Sequence, residues 1–457
     1  MTVSIVWFRQ DLRVGDNPAL FHAAEKGSVV GIYVEATEQR KKHHDSAAKI
    51  GFTYDSLIEL RSELNNLNIP LHIVKATTYD DQIDKLKEWT AKLSAASVYF
   101  NNEYPLNEKN RDNKAEVTLT ECGINFERFN GDLAVEPGTI KNKQGKPYKV
   151  FTPYKKAWVE QHKSIQIEPY KAPGKQSYNV GKQETFDFSM SYRGDLWQPG
   201  AKAALGKLKA FLGKVDKYKA ARDIPSVAGT SLLSPYLAIG ALSVRQCIYA
   251  LRDHYSGDEE KLYGDKWLSE LVWREFYRQI LIDKPTMAKH RPFNPDAKEI
   301  WVSNHRAFEA WKEGRTGFPM IDAAMRQLNQ TGWMHNRLRM NAAMFLNKLC
   351  LVDWRWGEKY FMQQLIDGDF ASNNGGWQWC SSTGADGAPY FRIMSPLSQS
   401  KRFDEKGGFI RKFVPELEAL DNKSIHEPNS EQRKECGYPE PVINYKESRQ
   451  RALELLS

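Results

Sequence analysis

Four short apolar runs punctuate the first part of the chain: SIVWF (4–8), VVGIYV (29–34), LHIVKA (71–76) and ASVYF (96–100). Residues 54–67 and 80–93, lying between successive runs, carry apolar side chains at helical spacing. Strand-length runs alternating with helical patterns leave few solutions, because parallel neighbours need a helical crossover and the helices then cover both faces. The alternation predicts an α/β N-terminal domain over 1–130 with a doubly wound, mostly parallel sheet. No GxGxxG follows the first run, so the usual dinucleotide fingerprint is missing and any ligand of this domain is held by another device.

From about Lys141 to Gly200 the composition turns to Lys, Pro, Gly, Ser and Tyr, and segments such as KNKQGKPYK and PYKAPGK lack sustained periodicity. A long connector is predicted over 131–204. Beyond Ala201 strand signals almost vanish while helical stripes recur at 205–211, 235–254, 266–281, 318–328 and 336–351, which predicts an all-α domain over 205–457. Nine of the thirteen tryptophans fall between Trp267 and Trp379, more than packing a helix bundle requires.

Composition narrows the partners. With 65 Lys+Arg against 57 Asp+Glu the chain carries +8, which permits a polyanionic partner without requiring one. The five cysteines lie far apart with no CxxC spacing, so neither a zinc site nor a disulfide framework is indicated and a reducing cytoplasm is the simplest compartment. No apolar run reaches the ~18 residues of a membrane span, and the N-terminal run is cut off by Arg9, Asp11 and Arg13 before it could serve as a signal segment.

The segment most like a site is DGDFASNNGGWQW (367–379). Asp367, Asp369 and Asn373 hint at a calcium loop, but the fifth, sixth and twelfth places hold Ala371, Ser372 and Gln378, so the metal reading fails. A pocket for a planar, polar-edged cofactor with aromatic neighbours suits the composition better; a glycine-rich turn over packed tryptophans is the plain alternative. Along 266–281, Trp267, Glu270, Arg274 and Tyr277 recur at three- and four-residue spacing beside Trp273, a wall of acid, base and aromatic groups or simply an amphipathic surface with an internal ion pair. In GWMHNRLRM (332–340) Asn336 and Met340 stand one turn apart while Arg337 and Arg339 aim in different directions. In TSLLSPYL (230–237) hydroxyls gather just before a helix, where free N–H groups favour phosphate or an ordinary N-cap.

Together these segments carry a resemblance. VWFRQDLR (6–13), DNPAL (16–20), TSLLSPYLAIGALSVRQC (230–247), WLSELVWREFYRQI (267–280), TGWMHNRLRM (331–340) and DGDFASNNGGWQW (367–379) resemble, in order, the motifs of the photolyase/cryptochrome family, and the likeness continues through APYFRIMSP (388–396) to YPEPVINYKESR (438–449). The helical part is most similar to the class I cyclobutane pyrimidine dimer photolyases of bacteria. The resemblance implies a monomeric enzyme that repairs such dimers in UV-damaged DNA by light-driven electron transfer from reduced, anionic FAD to a flipped-out lesion, with no metal and no membrane.

Residue by residue, the resemblance implies FAD contacts from Tyr218, Thr230, Ser231, Leu232, Leu233, Ser234, Arg274, Arg339, Asp367, Gly368, Asp369 and Asn373. Asn373 is expected beside flavin N5, and Arg339 is expected to pair with Asp367. Trp273 and Trp379 imply lesion walls, with Glu270 and Asn336 on the pyrimidine edges and Met340 alongside. Arg222, Arg337, Gln399, Lys401 and Arg402 imply a backbone grip. Trp301, Trp354 and Trp377 imply an electron-transfer chain. His43, Asn107, Glu108 and Lys289 imply a methenyltetrahydrofolate antenna, with a deazaflavin, another flavin or an empty site still open. A cryptochrome-type light sensor and a (6-4) or single-strand-specific photolyase are the rivals; Asn373, where plant cryptochromes carry an aspartate, favours repair.

Overall fold

The computed structural model describes residues 3–165, 168–177, 181, 183, 190–386 and 392–456. Residues 388–391 of the APYFRIMSP motif lie outside the described residues. Two compact units are assembled from discontiguous stretches. The first takes 1–148, 152–213 and 231–288; the second takes 149–151, 214–230 and 289–457.

The first unit holds a five-stranded, all-parallel sheet in the order β3-β2-β1-β4-β5. Its strands are β1 (Val3–Phe8), β2 (Ser28–Ala36), β3 (Leu71–Ala76), β4 (Ala95–Asn101) and β5 (Asn125–Phe129). The four apolar runs become β1 to β4, and the register sets Ile5 against Val30 on one side and Val98 on the other. β5 lacks such a run: it is exposed at Asn125 and half-buried beyond it, so its NFERF sequence needs no continuous apolar stretch. Helices Pro18–Lys26, Ala47–Asn66, Tyr79–Lys92 and Leu106–Glu121 supply the crossovers. Ile5, Trp7, Ile32, Val34, Ile83, Leu86, Val98, Phe100, Ala115 and Leu119 form one buried cluster, each large side chain contributing about 1.5–3 kcal/mol by burial.

In a sheet of this order the crevice for a ligand opens between β1 and β4, beyond their carboxyl ends. Here the chain fills that place itself. The Arg9 guanidinium lies 4.4 Å from the Trp7 ring centroid and 4.5 Å from that of Phe100, and it donates to the Asn101 carbonyl. Arg111 covers Trp7 from 4.9 Å and pairs with Glu103 and Asp112 at 2.6 and 2.7 Å.

Past residue 129 no strand occurs among the described residues, as the vanishing strand signal predicts. Three segments depart from expectation. The helix expected over 235–254 is two helices, Ser234–Ala238 and Val244–His254. The chain breaks at Gly240, whose φ of 68° is left-handed and whose backbone packs so closely that a Cβ would lie 2.0 Å from the Gln10 carbonyl oxygen. The stretch over 336–351 is α-helical only to Met344 and then widens into a π turn, Phe345–Leu349. The 141–200 stretch, expected to lack periodicity, contains the helix Phe151–Ser164. Its buried face is only Tyr154 and Trp158, one turn apart, too narrow a stripe to stand out among lysines and glutamine.

The second unit is built on a single apolar cluster that includes Trp311, Met325, Leu338, Leu346, Trp354, Phe361 and Trp377. Helices His305–Glu313, Pro319–Thr331, Asn336–Met344, Trp354–Gln364 and Phe370–Ser381 contribute to it. No described helix is long and apolar enough to cross a membrane.

Candidate cofactor and lesion site

Helix Phe370–Ser381 carries most of the DGDFASNNGGWQW segment, and propensity does not explain it: Gly375 and Gly376 each cost roughly 1 kcal/mol in a helix interior. Side-chain bonds hold it instead. Asp369 is the N-cap, its Oδ1 accepting from Ser372 N at 2.9 Å. Asn373 Nδ2 donates to the Glu358 carbonyl at 3.0 Å, and Asn374 Nδ2 donates to Glu358 Oε1 at 2.9 Å. Gln378 closes the lattice, donating to Asn374 Oδ1 at 2.9 Å while its own Oε1 accepts from Phe293 N at 2.7 Å. A backbone carbonyl only accepts, so the Asn373 amide is fixed in orientation and its Oδ1 is left as a pure acceptor. Glu358 is itself buried beneath His290, whose Nδ1 lies 3.2 Å from Oε2 and whose pKa that carboxylate raises.

Trp377 projects from the same helix onto helix Trp354–Gln364. Its ring rests against Gly357, where a Cβ would lie 2.1 Å from the indole; only glycine leaves the space. Phe361 and Trp311 meet it edge-on at 5.0 and 6.0 Å. Trp354 is fully buried in the same cluster and Trp301 is partly buried against it, so the three tryptophans share one apolar body with exposure rising toward Trp301. Trp379 and Met340 are likewise half-buried against this cluster. The Arg392 guanidinium covers the Trp379 ring from 5.5 Å.

Asp367 is buried and paired with Arg339, Oδ2 to Nη2 at 2.7 Å, as expected. Arg339 is held in turn by the Met334 carbonyl at 2.9 Å. Asp367 Oδ1 is buried and meets no hydrogen-bond donor among the described residues, an acceptor in want of a ligand donor. Gly368 is buried beside it. Asn336 opens its helix with an exposed side chain. His335 before it is buried, accepts from Arg337 N at 3.1 Å through Nδ1, and has its pKa pushed down to about 4 by that burial.

The rim arginines gather. Arg337 Nη2 lies 3.0 Å from Asp223 Oδ1, and Arg222 reaches the same oxygen at 3.7 Å. The Phe403 ring sits under both Arg337, at 4.5 Å, and Arg402, at 5.1 Å. Gln399 and the exposed Lys401 lie on the same helix, Pro396–Phe403. Arg222 also covers Tyr218 from 5.4 Å, and Thr230 is half-buried at the end of this stretch.

In the first unit Leu232 has a φ of +54°, a strained value for a branched residue, and Leu233 follows at −94°. Left-handed then right-handed backbone turns successive N–H groups toward one side, the geometry of an anion nest. The N–H groups of Ser231, Leu232 and Leu233 make no backbone hydrogen bond among the described residues. Ser234 then opens helix Ser234–Ala238. Arg274 anchors this turn from behind, donating to the Leu237 carbonyl at 3.2 Å, while its remaining bonds go to Asp132, which Arg278 shares. Its guanidinium is therefore largely committed to protein. On the same helix, Lys266–Asp283, Glu270 stands 3.5 Å from Lys266, and Trp273 meets Phe276 edge-on and Tyr277 at a tilt.

His43, Asn107 and Glu108 do come together, with Asn107 Nδ2 3.1 Å from His43 Nε2 and His43 Nδ1 3.3 Å from Glu108 Oε1. Glu108 is buried, however, and the same oxygen accepts from Tyr79 at 2.7 Å. Lys289 is exposed at the end of the turn Pro285–Lys289 in the second unit. Glu358, Asn374 and Gln378 were not singled out from sequence. Asn374 and Gln378 stand four residues apart, a helical spacing the sequence shows, but Glu358 reads as an ordinary surface acid until its burial is seen.

A family model described as the FAD binding domain of DNA photolyase matches residues 267–457, and the DNA photolyase model matches 4–174. The chain is 41% identical to the deoxyribodipyrimidine photo-lyase of Vibrio cholerae, over 99% of this chain and 98% of that one, and 40% identical to that of Escherichia coli with the same coverage. Among solved structures it is similar to a bacterial class III photolyase from Agrobacterium tumefaciens, with a TM-score of 0.84 and 32% identity covering 100% and 97% of the two chains. It is also similar to a Synechocystis cryptochrome, with a TM-score of 0.86 and 26% identity covering 100% and 99%. With both family models matched in order and relatives at this identity over its full length, the chain belongs to the DNA photolyase family and carries that family's FAD-binding domain.

Proposed function

We propose that this chain is a deoxyribodipyrimidine photo-lyase that uses FAD and light to split cyclobutane pyrimidine dimers in DNA. The observation that carries the reading is the fixed amide of Asn373, on one short helix with the capping Asp369 and the inward Trp377, and six residues beyond the buried, half-satisfied Asp367. Bound FAD, reduced and excited by light, supplies the electron that opens the cyclobutane ring.

The chain's own groups bind and orient. Asp367, neutralised by Arg339, would offer its unsatisfied oxygen to the N–H edge of the isoalloxazine, and Asn373 Oδ1 would accept a hydrogen bond from the flavin N5–H. The nest at Leu232–Leu233, with Thr230, Ser231, Ser234 and Tyr218, receives the pyrophosphate region. Arg274, which also donates to the Leu237 carbonyl of the helix after that turn, is assigned to the same phosphate or ribityl region. Trp273 and Trp379 stack on the extruded pyrimidines at about 1–3 kcal/mol per base, offsetting the few kcal/mol spent on extrusion. Glu270 and Asn336 meet the pyrimidine edges with Met340 alongside. Arg222, Arg337, Gln399, Lys401 and Arg402 hold the backbone, a lesion-blind and salt-sensitive grip. Trp377, Trp354 and Trp301 form the route by which oxidised flavin regains an electron. A folate-type antenna held by His43, Asn107, Glu108 and Lys289 is the remaining assignment.

The test is direct. Reduced protein is mixed with duplex DNA carrying one cyclobutane thymine dimer, illuminated with near-ultraviolet to blue light, and scored for restored thymines against a dark control. Light-dependent restoration is expected; equal thymine recovery in light and dark overturns the reading.

A further inference from the structure

The run from Pro137 to Val159 contains six lysines and no acidic residue, so 23 residues supply +6 of a chain whose net charge is +8. Neither the cofactor site nor the rim uses it. Its tip is a tight hairpin with a single antiparallel bridge, Lys141 to Pro147. Asn142 locks the tip: its N–H donates to the Lys146 carbonyl at 2.8 Å, and its Oδ1 accepts from Gln144 N and Lys146 N at 2.9 and 3.0 Å. Two of the cations are used inside the fold. Lys155 Nζ donates to Ser269 Oγ at 2.8 Å and to the Tyr263 carbonyl, and Lys141 faces Asp283, whose pKa burial raises against the opposing pull of Gln279 and Lys141. Lys143 and Lys146, at the locked tip, project into solvent.

The hairpin's location gives this charge a purpose. Gly138 N donates to Gln279 Oε1 at 2.8 Å, and Ala134 N to Glu275 Oε1 at 2.6 Å, lashing the start of the run to helix Lys266–Asp283. An aromatic ladder ties down the rest. Tyr148 meets Tyr154 edge-on at 6.4 Å, Tyr154 meets Phe276 at 5.0 Å, and Phe276 meets Trp273 edge-on at 5.5 Å. The base of the lysine-bearing hairpin is thus tied to helix Lys266–Asp283, which also presents Trp273 and Glu270. A lysine held without a carboxylate beside a surface that takes DNA is a phosphate contact, because neutralising a phosphate releases a condensed counterion.

We infer that the 141–147 hairpin is a second DNA-backbone grip, in which Lys143 and Lys146 contact phosphates of the duplex outside the lesion pocket. This rests on the DNA-repair reading above. The contact carries no information about the lesion, so it strengthens damaged and undamaged duplex alike.

The experiment compares wild type, the double variant Lys143→Ala/Lys146→Ala and the double variant Lys143→Arg/Lys146→Arg, measuring affinity for a dimer-containing duplex and an undamaged duplex across a salt series. Two phosphate contacts correspond to a slope of about 1.8 in log affinity against log salt, so between 50 and 200 mM the wild type is expected to lose about twelve-fold more affinity than the alanine variant. The same difference is expected on both duplexes, and the arginine variant should keep the wild-type slope. Coincident slopes for wild type and the alanine variant overturn the hairpin proposal, as does an arginine variant that behaves like the alanine one. A wild type that neither prefers the damaged duplex nor repairs it in light instead overturns the underlying functional reading, so the two failures are separable.

Discussion

His335 shows how a single buried group can make the site region pH-sensitive. Its pKa falls from the ordinary 6.5 to about 4 because burial disfavours the cation, while the unfolded chain keeps the ordinary value. Between those values the unfolded state binds more protons, so stability is intact above pH 6.5 and is lost as pH falls toward 4. At pH 5 the loss is on the order of 2 kcal/mol. Asparagine can replace the cap to Arg337 N without titrating, so His335→Asn is expected to lose less thermal stability than wild type between pH 7 and pH 5. Equal losses in a melting experiment would show that another group governs this window. This residue was invisible as a functional candidate in the sequence, where it is one of ten histidines. Asp367 and Arg339 were legible, since a motif names both partners; the orientation of Asn373 was not, because it depends on a carbonyl from a different helix.

Helices carry the site in ways their local sequence only partly reveals. Helix Phe370–Ser381 contains two interior glycines and still forms, because Glu358, Asn374 and Gln378 bind it to its neighbours. Those bonds cross about 16 and 85 residues of sequence, beyond any periodicity argument. Gly357 is the matching requirement on helix Trp354–Gln364. Gly357→Ala puts a methyl group where the Trp377 ring lies, and a clash of this kind in a packed core costs about 1–3 kcal/mol. With Trp377 proposed as the inner electron relay, this variant should bind flavin yet regain reduced flavin more slowly in light with an external reductant, as followed by absorbance. Unchanged photoreduction with a folded protein would mean that the position of Trp377 does not limit the relay. Strand assignment, by contrast, needs no context: β1, β2 and most of β4 are buried apolar runs and β3 buries Leu71 and Ile73 in alternation, whereas the half-exposed β5 and the two-residue stripe of helix Phe151–Ser164 leave little trace.

At the scale of the whole molecule, the chain's stability depends on what it binds. A ligand that binds only the folded state adds RT ln(1 + [L]/Kd), about 4.1 kcal/mol at a thousandfold excess over Kd. Stripping FAD should therefore lower the melting temperature, and added FAD should restore it in a concentration-dependent way; a melting temperature indifferent to FAD would contradict a built flavin site. The π turn Phe345–Leu349 has a different kind of consequence. It lies directly after the helix bearing Asn336, Arg337, Arg339 and Met340. Its wider turn sets the residues within it at a different rotation from an uninterrupted α-helix, and the helix ends with it. Within it Lys348 is swung inward to donate to Ser382 Oγ at 2.8 Å and to the Arg392 carbonyl at 2.5 Å, beneath the residue that covers Trp379. The wide turn works as a seat for Lys348: a one-residue deletion there would leave every motif in the sequence intact and still withdraw the cation that ties Ser382 to the Arg392 backbone.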